Sequence, residues 1–416
     1  MKPKIAPTSP KTKHEQQAFE QLYAAGLQTI EKPRRVPVGL TLALAFVVGV
    51  VGVVGGLAGV TALSDRVPAD SWIRFFVPSA TERVVVERNA SPSASPEQVA
   101  VDRNDAIRPV LVGVYAGVPT TLETVADLPS PASFRGTGVI VANNGLIVTT
   151  RDVVPEPSTH LAILLSDQRL FPVTAVTLDP VSPYVFLTVE GSDFRSAKFA
   201  GRTTVVPGLD AFAYSVSGIP DTIAVNATVV SAVDVRRGDG SNALVESSDE
   251  LDRLLLVSGA PLAPGTAVFN GSGEVLGVAV AEPVTGQQAI APIWHMRAAL
   301  RQLLRGTDLI RPSLGVTTVD VSRLPADTAL TDRTVGALVA SANATEQPAV
   351  APRGAAASAG VKANDVVLQV NGLTIDRQNP LSEVVQDLTP GERATLTLAR
   401  GAEELDVEVT LGILRP

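Results

Sequence analysis

Between residues 101 and 305 the apolar residues come in short β-branched runs, at 110–115, 138–141, 146–150, 161–165, 185–189, 211–216, 224–233, 254–257 and 275–281. Gly, Pro, Asn and Asp separate these runs, and many short strands punctuated by turn residues predict a β-sandwich or barrel. A helical apolar spacing returns only at 293–304. Beyond Gly306 the pattern changes again. Residues 336–341 read as a strand, 381–388 as an amphipathic helix ended by Thr389-Pro390-Gly391, and 394–399 with 406–411 as a closing strand pair. Asn371-Gly372 between apolar residues signals a tight hairpin, because both positions tolerate a positive φ.

The N-terminal part follows a different pattern. Residues 36–63 contain no charged residue and are almost wholly Val, Leu, Ala and Gly. That is longer than the roughly 20 residues needed to cross a ~30 Å hydrocarbon core, so it predicts one transmembrane helix. A signal peptide has an apolar region of only about 7–15 residues; cleavage after the helix is the competing reading. Basic residues precede the span and Asp65 follows it. The positive-inside rule then puts the N-terminus in the cytoplasm and everything beyond about residue 65 outside, a single-pass protein of the cell membrane. Residues 15–31 place Phe19, Leu22, Tyr23, Leu27 and Ile30 on one helical face, and the Ser/Pro/Ala stretch 91–96 reads as linker. The expected organisation is a basic head at 1–35, the span at 36–63, a linker at 64–100, a large β domain at 101–306 and a module at 307–416.

Charge supports this division. The head carries seven Lys and Arg against three Glu, whereas the whole chain of 416 residues has a net charge of −8, so the ectodomain is strongly acidic. Acidity and 4% aromatic content argue against nucleic-acid binding, which needs a basic face and stacking platforms. The absence of Cys excludes disulfide scaffolds, thiolate metal sites and cysteine nucleophiles. Only His14, His160 and His295 are present, too few for a His-rich metal site. No metal and no cofactor is expected.

Three local motifs carry a family resemblance. Gly136-Thr137-Gly138-Val139-Ile140-Val141 followed by Asn144-Gly145-Leu146-Ile147-Val148-Thr149, then Asp179-Pro180 before the run 185–189, then Asn270-Gly271-Ser272-Gly273-Glu274-Val275, resemble the trypsin-like domain of HtrA/DegS-type serine proteases. The resemblance implies a mainly β fold with a chymotrypsin-like double β-barrel. It also implies where a triad would sit. The family's His position falls on Asp152, its Asp position on Pro183 and its nucleophile position on Pro264. The reaction needs a hydroxyl, an imidazole, a carboxylate and backbone N–H donors for the oxyanion. Pro264 offers neither hydroxyl nor N–H, and a carboxyl with an ordinary pKa near ~3.9 is poorly matched to general-base work at neutral pH. A degenerate triad is therefore expected, with no catalytic residue assigned. A relocated site using Ser258 or Thr266 with His160 is the alternative, which would keep the chain an active endopeptidase. His295, at the head of the closing helix, reads as structural.

The C-terminal module resembles a bacterial PDZ domain through Ser313-Leu314-Gly315-Val316, Gly354 to Asp365, the strand 366–370 and Asn371-Gly372. Such domains add an extended peptide to a sheet edge and capture its terminal carboxylate with backbone N–H groups. By resemblance, Leu314, Gly315 and Val316 form the carboxylate loop, and Val384, Val385 and Leu388 either line the pocket for the last side chain or belong to the core. The expected partners are C-terminal peptides or unfolded chain ends, together with the membrane through one helix. A homotrimer, or a hetero-oligomer with an active relative, is the assembly implied. The expected function is that of a membrane-anchored pseudoprotease acting as a peptide-binding scaffold or in envelope quality control; a purely structural envelope protein is the third reading.

Overall fold

The computed structural model describes residues 95–416 except 120, 157–159, 219–221, 237–243, 285–286, 326–327 and 343–347. The expected head, the span and nearly all of the expected linker lie outside the described residues. Among the described residues no helix is long and apolar enough to cross a membrane. The described residues begin with a helix that the apolar pattern did not predict, α1 (Pro96–Ile107). Ser95 caps it by accepting from the Gln98 amide, and Pro96 sits at its first turn, where no N–H is needed. Its packing is mainly polar, which hid it: Arg103 stacks on the Phe212 ring, Asn104 accepts from the Tyr214 hydroxyl, and only Ile107 is buried.

Six strands close the first barrel: β1 (Leu111–Ala116), β2 (Phe134–Ala142), β3 (Leu146–Thr150), β4 (Leu161–Leu165), β5 (Leu170–Leu178) and β6 (Tyr184–Val189), in the order β1-β2-β3-β6-β5-β4. Along β6, Val185 and Leu187 point into the barrel with Val112, Ile140, Ile147 and Ile163, while Tyr184 and Phe186 face the second barrel with Val139 and Val148. Both faces are apolar because each meets a core, which is why these strands read as continuous apolar runs. Each Val, Leu, Ile or Phe so buried contributes about 1.5–3 kcal/mol relative to exposure.

The second barrel uses β8 (Asp210–Val216), β9 (Ile223–Arg236), β11 (Arg253–Ser258), β12 (Ala267–Asn270), β13 (Glu274–Val284) and β14 (Gln287–Pro292). The order β12-β8-β9-β11-β14-β13 is closed by pairing of β12 with β13, and the short β7 (Lys198–Phe199) runs parallel to β13. Thr137 ties the barrels together: its hydroxyl accepts from the Val216 amide, and its carbonyl accepts from the Thr149 hydroxyl. The segment 293–304, expected as one helix, is a short 3₁₀ turn at Ile293–Met296 running into α2 (Arg297–Leu304).

The third unit begins with β15 (Arg311–Ser313), which pairs with β22 (Gly412–Leu414). Its main sheet orders β16 (Thr317–Asp320), β17 (Ala337–Val339), β18 (Val366–Val370), β20 (Arg393–Arg400) and β21 (Glu403–Thr410), with β19 (Leu373–Thr374) hairpinned onto β18. Asn371 and Gly372 both have positive φ in that two-residue turn, as the sequence pair predicted. Two helices, α3 (Ala355–Ser358) and α4 (Leu381–Gln386), complete the unit. One further strand extends this sheet from outside: β10 (Val245–Ser247), which lies in sequence between β9 and β11 of the second barrel, pairs antiparallel with β16.

Candidate functional site

Two places bring together the residues singled out in the sequence. The first lies where the barrels meet. At the end of β3 the chain turns through Arg151-Asp152-Val153, with the Val153 and Val154 amides donating to the Thr150 carbonyl. The Arg151 amide donates to the Pro183 carbonyl at 2.9 Å, and Asp152 Oδ2 accepts from the Ala281 amide of β13 at 2.9 Å. Val153 fills the space between Gly136 and Gly265: a Cβ on either would come within 2.7 or 2.6 Å of its Cγ2. The Pro264 carbonyl lies 3.3 Å from the Cβ position of Gly136. The turn carrying Asp152 thus touches both the Pro183 backbone and the Pro264-Gly265 turn.

Three backbone donors of that turn are already engaged. Leu262 donates to Gln288 Oε1 at 3.1 Å, Gly265 to the Ala279 carbonyl at 2.9 Å and Thr266 to the Ala263 carbonyl at 3.1 Å; position 264 has no N–H to give. The His160 imidazole of the relocated-site alternative is exposed in a left-handed turn and, among the described residues, makes no hydrogen bond to Ser258 or Thr266. His295, expected as structural, is buried with Nε2 3.3 Å from Glu383 Oε1. Among the described residues no group of three or more His, Cys, Asp or Glu is placed to hold a metal ion.

The second place is the loop between β15 and β16. Leu314 and Val316 turn their side chains into the unit's core, while Gly315 takes a φ of +76°, a left-handed conformation that glycine adopts without steric cost. This leaves the Leu314 and Gly315 amides directed at one group, the side chain of Asp249. Its Oδ1 accepts from the Leu314 amide at 2.9 Å and the Gly315 amide at 3.1 Å, and its Oδ2 accepts from the Ser313 hydroxyl. The Val316 amide donates to the Ser248 hydroxyl at 3.1 Å, and the Ser248 amide donates back to the Val316 carbonyl at 2.9 Å. From α4, Gln386 Nε2 reaches the Ser248 carbonyl at 3.3 Å. Val384 and Val385 are core residues and Leu388 packs against the same core. Val384 and Leu388 also border a cavity of about 310 Å³ shared with Trp294 and His295 of the second barrel's closing segment.

The charged contacts that join these units leave no mark in the sequence pattern. Arg311 forks onto Asp179, and both side chains are fully buried; the Ser182 hydroxyl adds a bond to the same carboxylate at 2.6 Å. Glu246 of β10 pairs with Arg253 of β11, again in the interior. Burial raises the Glu246 carboxyl above its ordinary range in spite of Arg253. At Glu383 burial acts in the same upward sense, but the His295 imidazole, Arg202 and Arg253 outweigh it and hold the carboxyl below its usual range. The only sequence signal for Asp249 was an acidic residue closing the short run Val245-Glu246-Ser247-Ser248, too brief to read as a strand.

Comparison with known proteins follows the same division. Residues 136–278 match the trypsin-like peptidase domain, and residues 312–411 match the PDZ domain. A probable periplasmic serine endoprotease, DegP-like, of Chlamydia pneumoniae is 25% identical over 309 residues, 71% of this chain and 58% of that protein. The Halomonas elongata protein of the same description is 28% identical over 289 residues, covering 67% and 56%. The chain therefore spans little more than half the length of these relatives. The solved structure of the HtrA-type protease AlgW with a decapeptide superposes with a TM-score of 0.54 at 17% identity, over 76% of this chain and 99% of that one.

Proposed function

For an HtrA-type chain, with a trypsin-like domain followed by a PDZ domain, we propose the role of a membrane-anchored, extracytoplasmic pseudoprotease that binds protein chain ends and does not cleave them. The observation that carries this reading is the Pro264-Gly265 turn. At the position where the family resemblance expects a nucleophile there is neither hydroxyl nor N–H, and the amides of Leu262, Gly265 and Thr266 already have internal acceptors. Asp152, across the cleft, has its carboxylate bonded to the Ala281 amide and offers no imidazole.

The binding half of the proposal is supported by the loop at 314–316. Its Leu314 and Gly315 amides converge on a carboxylate, the group a peptide C-terminus presents. Anchoring through residues 36–63 would hold this groove at the outer face of the cell membrane, and the periplasmic description of the relatives agrees with that side. Assembly as a trimer, or with an active relative, belongs to the same proposal. The test is to present the detergent-solubilised full chain with immobilised random peptide libraries ending in a free carboxylate or an amide, and with unfolded casein. The proposal expects carboxylate-dependent retention and intact casein. Casein cleavage, or retention indifferent to the terminal group, would overturn it.

A further inference from the structure

We propose that residues 245–249 are an internal ligand of the PDZ groove, and that an outside chain end with a free carboxylate binds by displacing them. This deepens the peptide-binding reading of residues 312–411 and rests on it. Three observations converge. First, β10 occupies the edge of β16 opposite β17, with Val245 against Val319, Glu246 against Thr318 and Ser247 against Thr317. Second, the strand runs antiparallel to β16 and so advances towards the carboxylate loop, ending in Ser248 and Asp249. Third, Asp249 supplies there the same pair of oxygens that a terminal carboxylate would, and receives the Leu314 and Gly315 amides.

An outside ligand needs the same strand edge and the same donors. It cannot bind while the segment is seated, so its apparent affinity falls by the fraction of molecules whose groove is open; a groove closed in nine molecules of ten weakens binding about tenfold. The segment is also held by the buried pair of Glu246 with Arg253, a contact that an outside chain end reproduces only with an acidic residue at the same position. Displacement would also be felt in the cleft, because the Leu251 amide, two residues beyond Asp249, donates to the Val181 carbonyl at 2.7 Å, just ahead of Pro183.

The experiment uses the full chain and a fluorescein-labelled heptapeptide with the sequence of residues 242–248, ending in a free carboxylate after Ser248. Asp249→Ala is expected to bind it at least tenfold more tightly than the wild type, and neither protein is expected to bind the amidated peptide. Because the chain has no cysteine, the pair Ser247→Cys and Thr317→Cys forms one cross-strand disulfide between directly opposed residues. Oxidised, this variant is expected to refuse the peptide, and reduction is expected to restore binding. Equal affinity in wild type, Asp249→Ala and the oxidised pair overturns the proposal. If none of the proteins binds the peptide, hydrogen exchange at Leu314 and Gly315 decides. Faster exchange in Asp249→Ala upholds the internal ligand while removing the peptide-binding reading; unchanged exchange overturns the internal ligand.

Discussion

Arg311, the first residue of β15, forks onto Asp179 of the first barrel through Nε at 2.9 Å and Nη2 at 2.6 Å, and neither side chain has any exposure. The pair joins the PDZ unit to the β5–β6 connection, four residues before Pro183, and Arg311 Nη2 also donates to the His295 carbonyl at 3.2 Å. Removing one partner strands a buried charge. Arg311→Met is expected to lower the unfolding free energy by about 3–5 kcal/mol. Adding Asp179→Leu is expected to recover at least half of that loss, as read from urea denaturation of the single and double variants.

At Gly315 the constraint is conformational. A Cβ there would lie 3.3 Å from the Ala351 Cβ, which is tight, and the φ of +76° penalises any L side chain. Gly315→Ala is expected to cost about 1–2 kcal/mol. Gly315→Asn is expected to cost less, since Asn tolerates the left-handed region, and Gly315→Val to cost more. Thermal unfolding of the three variants gives the ranking.

How much of this was legible in the sequence depends on what each residue answers to. Leu146–Thr150 and Leu161–Leu165 were read to the residue, because uninterrupted apolar runs end at turn residues. β5 was missed: Pro172 sits in it and none of its residues is fully buried, so neither alternation nor an apolar run marked it. α1 was missed because its contacts are mostly polar, and the expected linker stretch 91–96 runs into its cap. The loop residues Leu314, Gly315 and Val316 were singled out through a motif, but the carboxylate that the Leu314 and Gly315 amides meet was not. Asp249 acts through a side chain brought 65 residues along the chain to Leu314 by the tertiary fold, and no local pattern records that.

The Glu383 cluster sets an acid limit on the junction between the second barrel and the PDZ unit. Its carboxyl is held below the ordinary range against burial by His295, Arg202 and Arg253. A depressed carboxyl contributes stability that is present above the unfolded value, near ~4.3, and is lost as pH falls through the folded value. The urea midpoint is therefore expected to drop between about pH 5 and pH 3. Glu383→Gln is expected to be less stable at neutral pH and to lose less over that interval.

Rebuilding the cleft separates the lost nucleophile from the lost base. Pro264→Ser returns a hydroxyl and an N–H but leaves Asp152 where the family resemblance expects an imidazole. It is expected to remain unreactive towards a fluorophosphonate. The combination Asp152→His, Pro183→Asp and Pro264→Ser is expected to gain label at position 264, read by peptide mass mapping. Reactivity in the single variant would show that a base other than the family's His serves this cleft.

The claim that the trypsin-like domain has lost its chemistry is tested most directly by incubating the wild-type full chain with an excess of fluorophosphonate probe and mapping every serine by mass spectrometry. No serine between residues 101 and 306 is expected to carry label, before or after addition of a carboxylate-ended peptide. Stoichiometric labelling of any one of them, Ser258 above all, would contradict it.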